Sequence, residues 1–385
     1  MAAKMNALVY DRNDLPWESS TGLLKRQVAL PELDPTSSDV LVRVTYAGFC
    51  GSDRGIWYRK AFGDLIHSSL DAEGSDVRVV GHEFIGEIIE VGARAAEKYG
   101  YTVGQTVSTE SHIVCGTCWQ CRHRQSHVCV REKIIGISQD GCFADVIRLP
   151  AHALWPTDLT RIRPEVAAVQ EPFGNAVHAC QAADLRGKRV AVFGTGTIGL
   201  FAVLIARGMG ATHVIGVEPN HHQQSLAMKL GCDEVLHPGP GDPDKPWAAN
   251  QELVAKLRSL TRGNGIDVTM EMSGVPSSLN AAIQSTRRGG DVVLFGVRNA
   301  DVVIQDAHRI VMNGLTLHGV VGRRIFDTWD ITRGLLEATD NGIQQAVYET
   351  ILNSGDGPVM GIDEWTPEGF ESVISKWPKP LIRFS

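Results

Sequence analysis

A chain of 385 residues, 43% hydrophobic and 21% charged, has material for a sizeable core and for two domains of ordinary size. Its net charge of −7 argues against the broad basic face that nucleic-acid binding needs. The opening residues, MAAKMNALVYDRND, hold no apolar stretch of signal-peptide length, and the longest uncharged apolar run, Val190 to Ala206, is too short for a membrane span. The expectation is a cytoplasmic protein without a membrane partner, where clustered cysteines serve metals or catalysis more often than disulfides.

In chain order, the first ~165 residues read as β-rich, because "DVLVRVTYAGFC", "VVGHEFIGEIIEVG" and "FADVIRL" cluster β-branched residues between Gly, Asp and Pro breakers. "GFCGSD" places Cys50, Ser52 and Asp53 just after a strand, and "VVGHEF" sets His82 beside Glu83. Next come Cys115, Cys118, Cys121 and Cys129, four of the chain's eight cysteines. Four thiolates at this spacing satisfy a tetrahedral zinc ion and leave no position for a substrate, which makes the site structural. An iron–sulfur cluster or a redox dithiol are the other readings of the same spacing. "QEPFGNAVHA" then carries Glu171 at the expected domain junction.

From Pro172 to Val321 the character changes. "RVAVFG", "HVIGVE", "IDVTMEM", "DVVLFGV" and "LTLHGVV" alternate with helical stretches, which predicts a parallel sheet with helices on both faces. After the first of these strands come Gly194, Gly196 and Gly199 in the pattern G-x-G-x-x-G, then a helix, then a strand ending in Glu218. That context marks a dinucleotide site, with glycines for the tight turn and a helix N-terminus facing the pyrophosphate. The bland reading is a glycine-rich turn in an unrelated α/β domain. Glu218 suits ribose hydroxyls and repels a 2′-phosphate, and the following "PNHHQQ" offers no arginine, so NAD is expected over NADP. Thr197, Ile198, Ser273 and Val297 are expected as further cofactor contacts. "HPGPGDPDKPW" reads as a surface loop, and residues 322–385 as short mixed elements. Cys142, Cys180 and Cys232 read as core or surface thiols.

Taken singly, Cys50, His82, Glu83 and Glu171 are unremarkable. Beside a dinucleotide domain they supply a thiolate, an imidazole and carboxylates, and a catalytic zinc needs three such ligands plus an open position. "CGSD", "GHE", the four-cysteine lobe, "EPFGNAVHA" and "GTGTIG" together resemble the zinc-dependent medium-chain alcohol dehydrogenase family over nearly the whole chain. Within it, "QSHVC", "EPFGNAVHA" and "GRRIFDTW" are most similar to L-threonine 3-dehydrogenase-like and sorbitol (polyol) dehydrogenase-like members.

The resemblance implies an α/β protein. A GroES-like β-rich catalytic domain would occupy 1–170 and return at 322–385, and a Rossmann doubly wound domain would occupy 171–321. It implies two zinc ions per chain. The catalytic one is held by Cys50 and His82 with Glu83 and Glu171 sharing a position, and the structural one by the four clustered cysteines. It implies that Ser52 bonds the substrate hydroxyl, that Asp53 orients His82, and that Arg323 reaches the cofactor or an anionic substrate group. The implied reaction is NAD-linked oxidation of a secondary alcohol (a polyol, a sugar, or a 3-hydroxy amino acid such as L-threonine) to a ketone. The implied assembly is a homodimer or homotetramer paired through the last Rossmann strand, near "LTLHGVVG".

Three rival readings accompany it. An aldose 1-dehydrogenase shares every motif and is favoured by Arg54. A nucleotide-sensing relative without chemistry would keep only the fold, and a zinc-free double-bond reductase would lack the ligands. Two departures from the family lie near the expected pocket. Gly55 stands where many relatives carry a proton-relaying histidine, and the segment between Cys50 and His82 is longer than usual. Glu83, water and His67 are the candidate alternative proton exits.

Overall fold

The computed structural model describes residues 3–297 and 301–384. The chain forms two compact units, Met1–Pro172 with Arg324–Ser385, and Phe173–Arg323.

The first unit is built around the strand Asp39–Gly48. Its Val40, Val42 and Val44 are fully buried on one core, and Leu41 on the opposite face is buried in a second cluster. It is paired antiparallel with Glu83–Val91, with Val146–Pro150 and with Leu381–Arg383. The register matters for the site: Gly48 lies opposite Glu83 on one side and Leu381 on the other. The end of one strand thereby brings together residues from the beginning, the middle and the end of the unit. The sheet continues through Thr106–Thr109 to Leu154–Pro156 and through Leu381–Arg383 to Val359–Gly361. A second sheet orders Leu24–Ala29, Lys4–Asp11 and Val77–Val79. Aromatic side chains fill the core, with Phe49 edge-on to Phe370 at 5.2 Å and stacked on Phe143 at 6.2 Å.

The longer segment between Cys50 and His82 contains a helix, Gly63–Glu73. Ile66 and Leu70, one turn apart, are its buried residues, and Gly74 ends it in the left-handed region at φ 65°. The segment is anchored by a 2.8 Å hydrogen bond between the Tyr10 hydroxyl and His67 Nε2. It is also anchored by the buried Arg78, which donates to Glu73, Ser69 and Asp140.

The second unit is a six-stranded parallel sheet. Its spatial order is Glu234–Leu236, His213–Val217, Arg189–Phe193, Ile266–Glu271, Thr286–Leu294 and Thr316–Gly319. That is the doubly wound order in which the crevice opens beyond the strand carrying the glycine turn. The near-continuous apolar runs of the central strands His213–Val217, Arg189–Phe193 and Ile266–Glu271 reflect burial on both faces. Cys142, Cys180 and Cys232 are all buried thiols. No helix among the described residues is long and apolar enough to cross a membrane.

Candidate active site

Cys50 caps the helix Gly51–Trp57 at the point where the strand Asp39–Gly48 gives out. Its N–H donates to Asp53 Oδ2 at 2.9 Å. Gly81, at φ 87°, turns the chain between Val77–Val79 and Glu83–Val91, and a Cβ there would run into the Phe143 ring. That turn delivers His82 and Glu83 to Cys50. The Cys50, His82 and Glu83 ligand atoms all lie within 4.8 Å of one another. The Ser52 hydroxyl is 3.3 Å from His82 Nε2. On the other side of the ring, His82 Nδ1 stands 3.6 Å from Asp53 Oδ1, too far for a hydrogen bond. Burial alone would depress the His82 imidazolium, yet the negative groups Asp53 and Cys50 hold its pKa well above the usual range. Asp53 Oδ1, His82 Nδ1 and Glu83 Oε1 are buried without a hydrogen-bond partner. Buried polar atoms are ordinarily satisfied. A thiol, an imidazole and a carboxylate converging with orphaned atoms is a donor set that fits zinc.

Glu171 is not in that mutual set. It is buried, and its Oε1 accepts a 2.6 Å hydrogen bond from the Ser111 hydroxyl. Three residues around the site have no motif to announce them: Ser111, Gly48 and Lys379. Lys379, 1% exposed, donates to the Glu83 carboxylate and, at 3.3 Å, to the Phe49 carbonyl. Burial alone would lower the Lys379 ammonium's pKa, but Glu83 and Cys50 carry it above its ordinary value. The only sequence signal is a lysine between two prolines, in "WPKPLIRF".

Gly55 has a packing reason to lack a side chain. The turn after its helix folds back so that Lys60 N and Ala61 N both donate to the Gly55 carbonyl, at 2.7 and 3.3 Å. A Cβ on Gly55 would stand 2.9 Å from Ala61 Cβ. Gly55→His is therefore expected to lower the melting temperature by roughly 2–10 °C through overpacking. Adding Ala61→Gly should recover most of the loss, and a melting temperature unchanged by Gly55→His alone would refute this account. His67 is not in the metal-ligand set. Its ring packs edge-on to Trp17 at 5.6 Å as well as bonding Tyr10. Arg54 donates to the Ile374 carbonyl, in the last turn of the helix Pro367–Lys376.

The four clustered cysteines converge too: their sulfurs all lie within 4.8 Å of one another. Backbone N–H groups of Cys115, Cys118 and Arg131 point at these sulfurs at 3.3–3.4 Å. Such N–H···S bonds favour thiolates, and the backbone N–H of Thr117 leads the causes that pull the Cys115 thiol down to about 5.

In the second unit, Gly194 follows Phe193 at φ 88°, with Ser273 2.8 Å from where its Cβ would lie. A side chain on Gly199 would overlap the Gly194 carbonyl, whereas a Cβ on Gly196 would meet nothing within 4 Å. Thr197 and Ile198 open the helix Thr197–Gly208. Glu218 holds the glycine turn: its carboxylate accepts from Thr195 N at 2.9 Å and from Asn220 N at 3.0 Å. Thr195, fully buried, is a further residue that the motif did not single out. The Ser273 hydroxyl is bonded to Glu271, and Val297 is 81% exposed. Arg323 is buried, and its Nη1 donates to Asn175 Oδ1 at 2.8 Å.

Residues 36–159 match the alcohol dehydrogenase GroES-like domain family, and residues 197–338 match the zinc-binding dehydrogenase family. The chain is 33% identical over 316 residues to an L-threonine 3-dehydrogenase from Caldanaerobacter subterraneus subsp. tengcongensis, covering 82% of this chain and 84% of that protein. The structure of an alcohol dehydrogenase from Thermus sp. ATN1 superposes with a TM-score of 0.79 at 25% identity, covering 99% of this chain and all of that one. That of 2R,3R-butanediol dehydrogenase from Bacillus subtilis superposes with a TM-score of 0.74 at 25% identity, covering 98% and 99% of the two chains. The chain belongs to the zinc-dependent medium-chain alcohol dehydrogenases, with a GroES-like domain and a Rossmann-type sheet. It is, within them, an oxidoreductase similar to the threonine dehydrogenases.

Proposed function

We propose that the protein is an NAD-linked, zinc-dependent dehydrogenase that oxidises a secondary alcohol to a ketone. The observation that carries this is the convergence of Cys50, His82 and Glu83 within 4.8 Å, with the Ser52 hydroxyl against His82. Zinc bound there would supply a Lewis acid for the substrate oxygen, and NAD a hydride acceptor. In this reading Cys50 and His82 are fixed ligands and Glu83 and Glu171 the exchangeable carboxylates. Ser52 accepts the substrate hydroxyl's hydrogen bond, and Asp53, 3.6 Å from His82 Nδ1, keeps the ring oriented through its charge. The four clustered cysteines hold a second, structural zinc.

The substrate is proposed to be a 3-hydroxy amino acid such as L-threonine or a small diol, on the strength of the threonine and butanediol dehydrogenases that the chain resembles. Arg54, which favoured aldoses, gives a donor to a helix end instead. Two copies are proposed to pair along Thr316–Gly319, the outer strand of the parallel sheet, beside the exposed Val311 and Met312. NAD reduction measured over threonine, diols, polyols, aldoses and simple secondary alcohols tests the assignment. Turnover of aldoses above all the others would overturn it.

NAD preference is assigned to Glu218. A hydrogen bond to a charged group contributes about 1.5–3 kcal/mol, so Glu218→Ala should narrow the NAD-to-NADP ratio of kcat/KM by roughly 10–100-fold. Part of that loss would come from the glycine turn, which Glu218 also holds through Thr195. Glu218→Gln keeps an acceptor for Thr195 while removing the charge, and should chiefly raise the use of NADP. A parent enzyme more efficient with NADP would refute the assignment.

A further inference from the structure

A buried ion pair stands against the candidate metal pocket, and its arrangement is specific. Lys379 is 1% exposed and Glu83 fully buried, and their charged groups are in contact. Withdrawing two charges from water is costly, and hydrophobic replacements are often as stable, so stability alone is a weak reason for such a pair. Its surroundings suggest another. Lys379 takes Glu83 Oε2, while Glu83 Oε1 is left without a hydrogen-bond partner. The Glu83 head lies in space that a side chain at position 48 would need, since a Cβ on Gly48 would overlap Oε2. Lys379 is held in turn by the Phe49 carbonyl and by the pairing of Leu381 with Gly48. A gap at Gly48 and a cation at Lys379 thus fix where one oxygen of Glu83 sits.

We propose that Lys379 is a positioning residue that draws one oxygen of Glu83 away from the metal, so that Glu83 stays a reserve ligand and a coordination position remains open for substrate. This rests on the reading that Cys50 and His82 hold a catalytic zinc ion. Without the ammonium, nothing opposes a second Glu83 oxygen turning toward a dication. The metal would then be held more tightly and the open position closed.

The test uses the full chain loaded with cobalt, read as the visible difference spectrum against Cys50→Ser so that the four-cysteine site cancels. Lys379→Met is expected to weaken the absorption, as a rising coordination number does. It should also slow the loss of cobalt to a chelator by about 10–100-fold, the scale of outer-shell effects on metal affinity. Turnover should fall in the same variant. Lys379→Arg should restore the parental spectrum, and Lys379→Met with Glu83→Gln should abolish both effects by removing the competing carboxylate. A folded Lys379→Met protein with parental spectrum and chelation rate overturns the proposal. If Lys379→Met does not fold, the double variant, free of an uncompensated charge, is compared with Glu83→Gln alone. Matching spectra support a role through Glu83, and different ones overturn it. A parent that shows no cobalt signal dependent on Cys50 sinks the zinc reading itself, and this proposal with it.

Discussion

Cys50→Ser is expected to lower kcat/KM by about 10³–10⁴-fold while the melting temperature stays within a few degrees of the parent. A Lewis acid at the reacting oxygen is worth several kcal/mol, and each ~1.36 kcal/mol is tenfold in rate. Serine at neutral pH presents a neutral hydroxyl, a far weaker zinc donor than the thiolate it replaces. The fold loses little by the change. Cys50 is only partly buried, and it is its backbone N–H, which serine keeps, that bonds Asp53. Metal analysis should show about two zinc ions in the parent and one in the variant. Activity within tenfold of the parent, or unchanged zinc content, would remove Cys50 from the catalytic site.

The opposite pattern is expected of Cys118→Ser. Here one zinc is lost, stability falls first, and the surviving folded enzyme keeps near-parental kcat. The lobe from Cys115 to Cys129 has little else to hold it. Its regular structure is one short helix, Trp119–Arg122, and one 3-10 turn, Ser126–Val128. Its Trp119 and Val128 are exposed, Trp119 stacking only on the neighbouring His123 ring at 4.0 Å. Where apolar contacts are so few, metal binding is the folding energy. Limited proteolysis should therefore cut the variant inside this lobe before anywhere else. A variant as protease-resistant as the parent, with both metals retained, would show that the sulfurs converge for some other reason.

What the sequence revealed followed from how local each signal is. The glycine turn was legible because strand, turn, helix and Glu218 lie within one supersecondary unit of about 30 residues. The cysteine lobe was legible because its four converging sulfurs come from neighbours along the chain. Cys50, His82 and Glu83 were legible only through resemblance, since nothing in their spacing says that Gly81 turns them toward one another. The role of Lys379 could not be read from its local sequence. It reaches Glu83 through strand register, and register across 296 positions leaves no local pattern. Gly55 looked like a missing histidine and is, in the fold, a glycine pressed by Ala61. The helix Gly63–Glu73 had a signal that went unused: Ile66 and Leu70 at helical spacing, closed by Gly74.

The Arg323–Asn175 and His178–Gly322 hydrogen bonds also bear on the order in which the molecule assembles. The nucleotide-binding unit interrupts the other one, so the unit that holds Cys50 must wait for residues 324–385 before its central sheet is complete. For an unfolded insertion of about 150 residues, joining the two parts means closing a long flexible loop. Once the insertion has folded, its entry and exit are fastened to each other, and the loop is effectively a few residues long. At ~0.6 kcal/mol per doubling of loop length, that removes about 3 kcal/mol of entropic cost. The interrupting unit thus lowers the entropic cost of completing its host, whose central sheet joins Asp39–Gly48 to Leu381–Arg383 across the insertion.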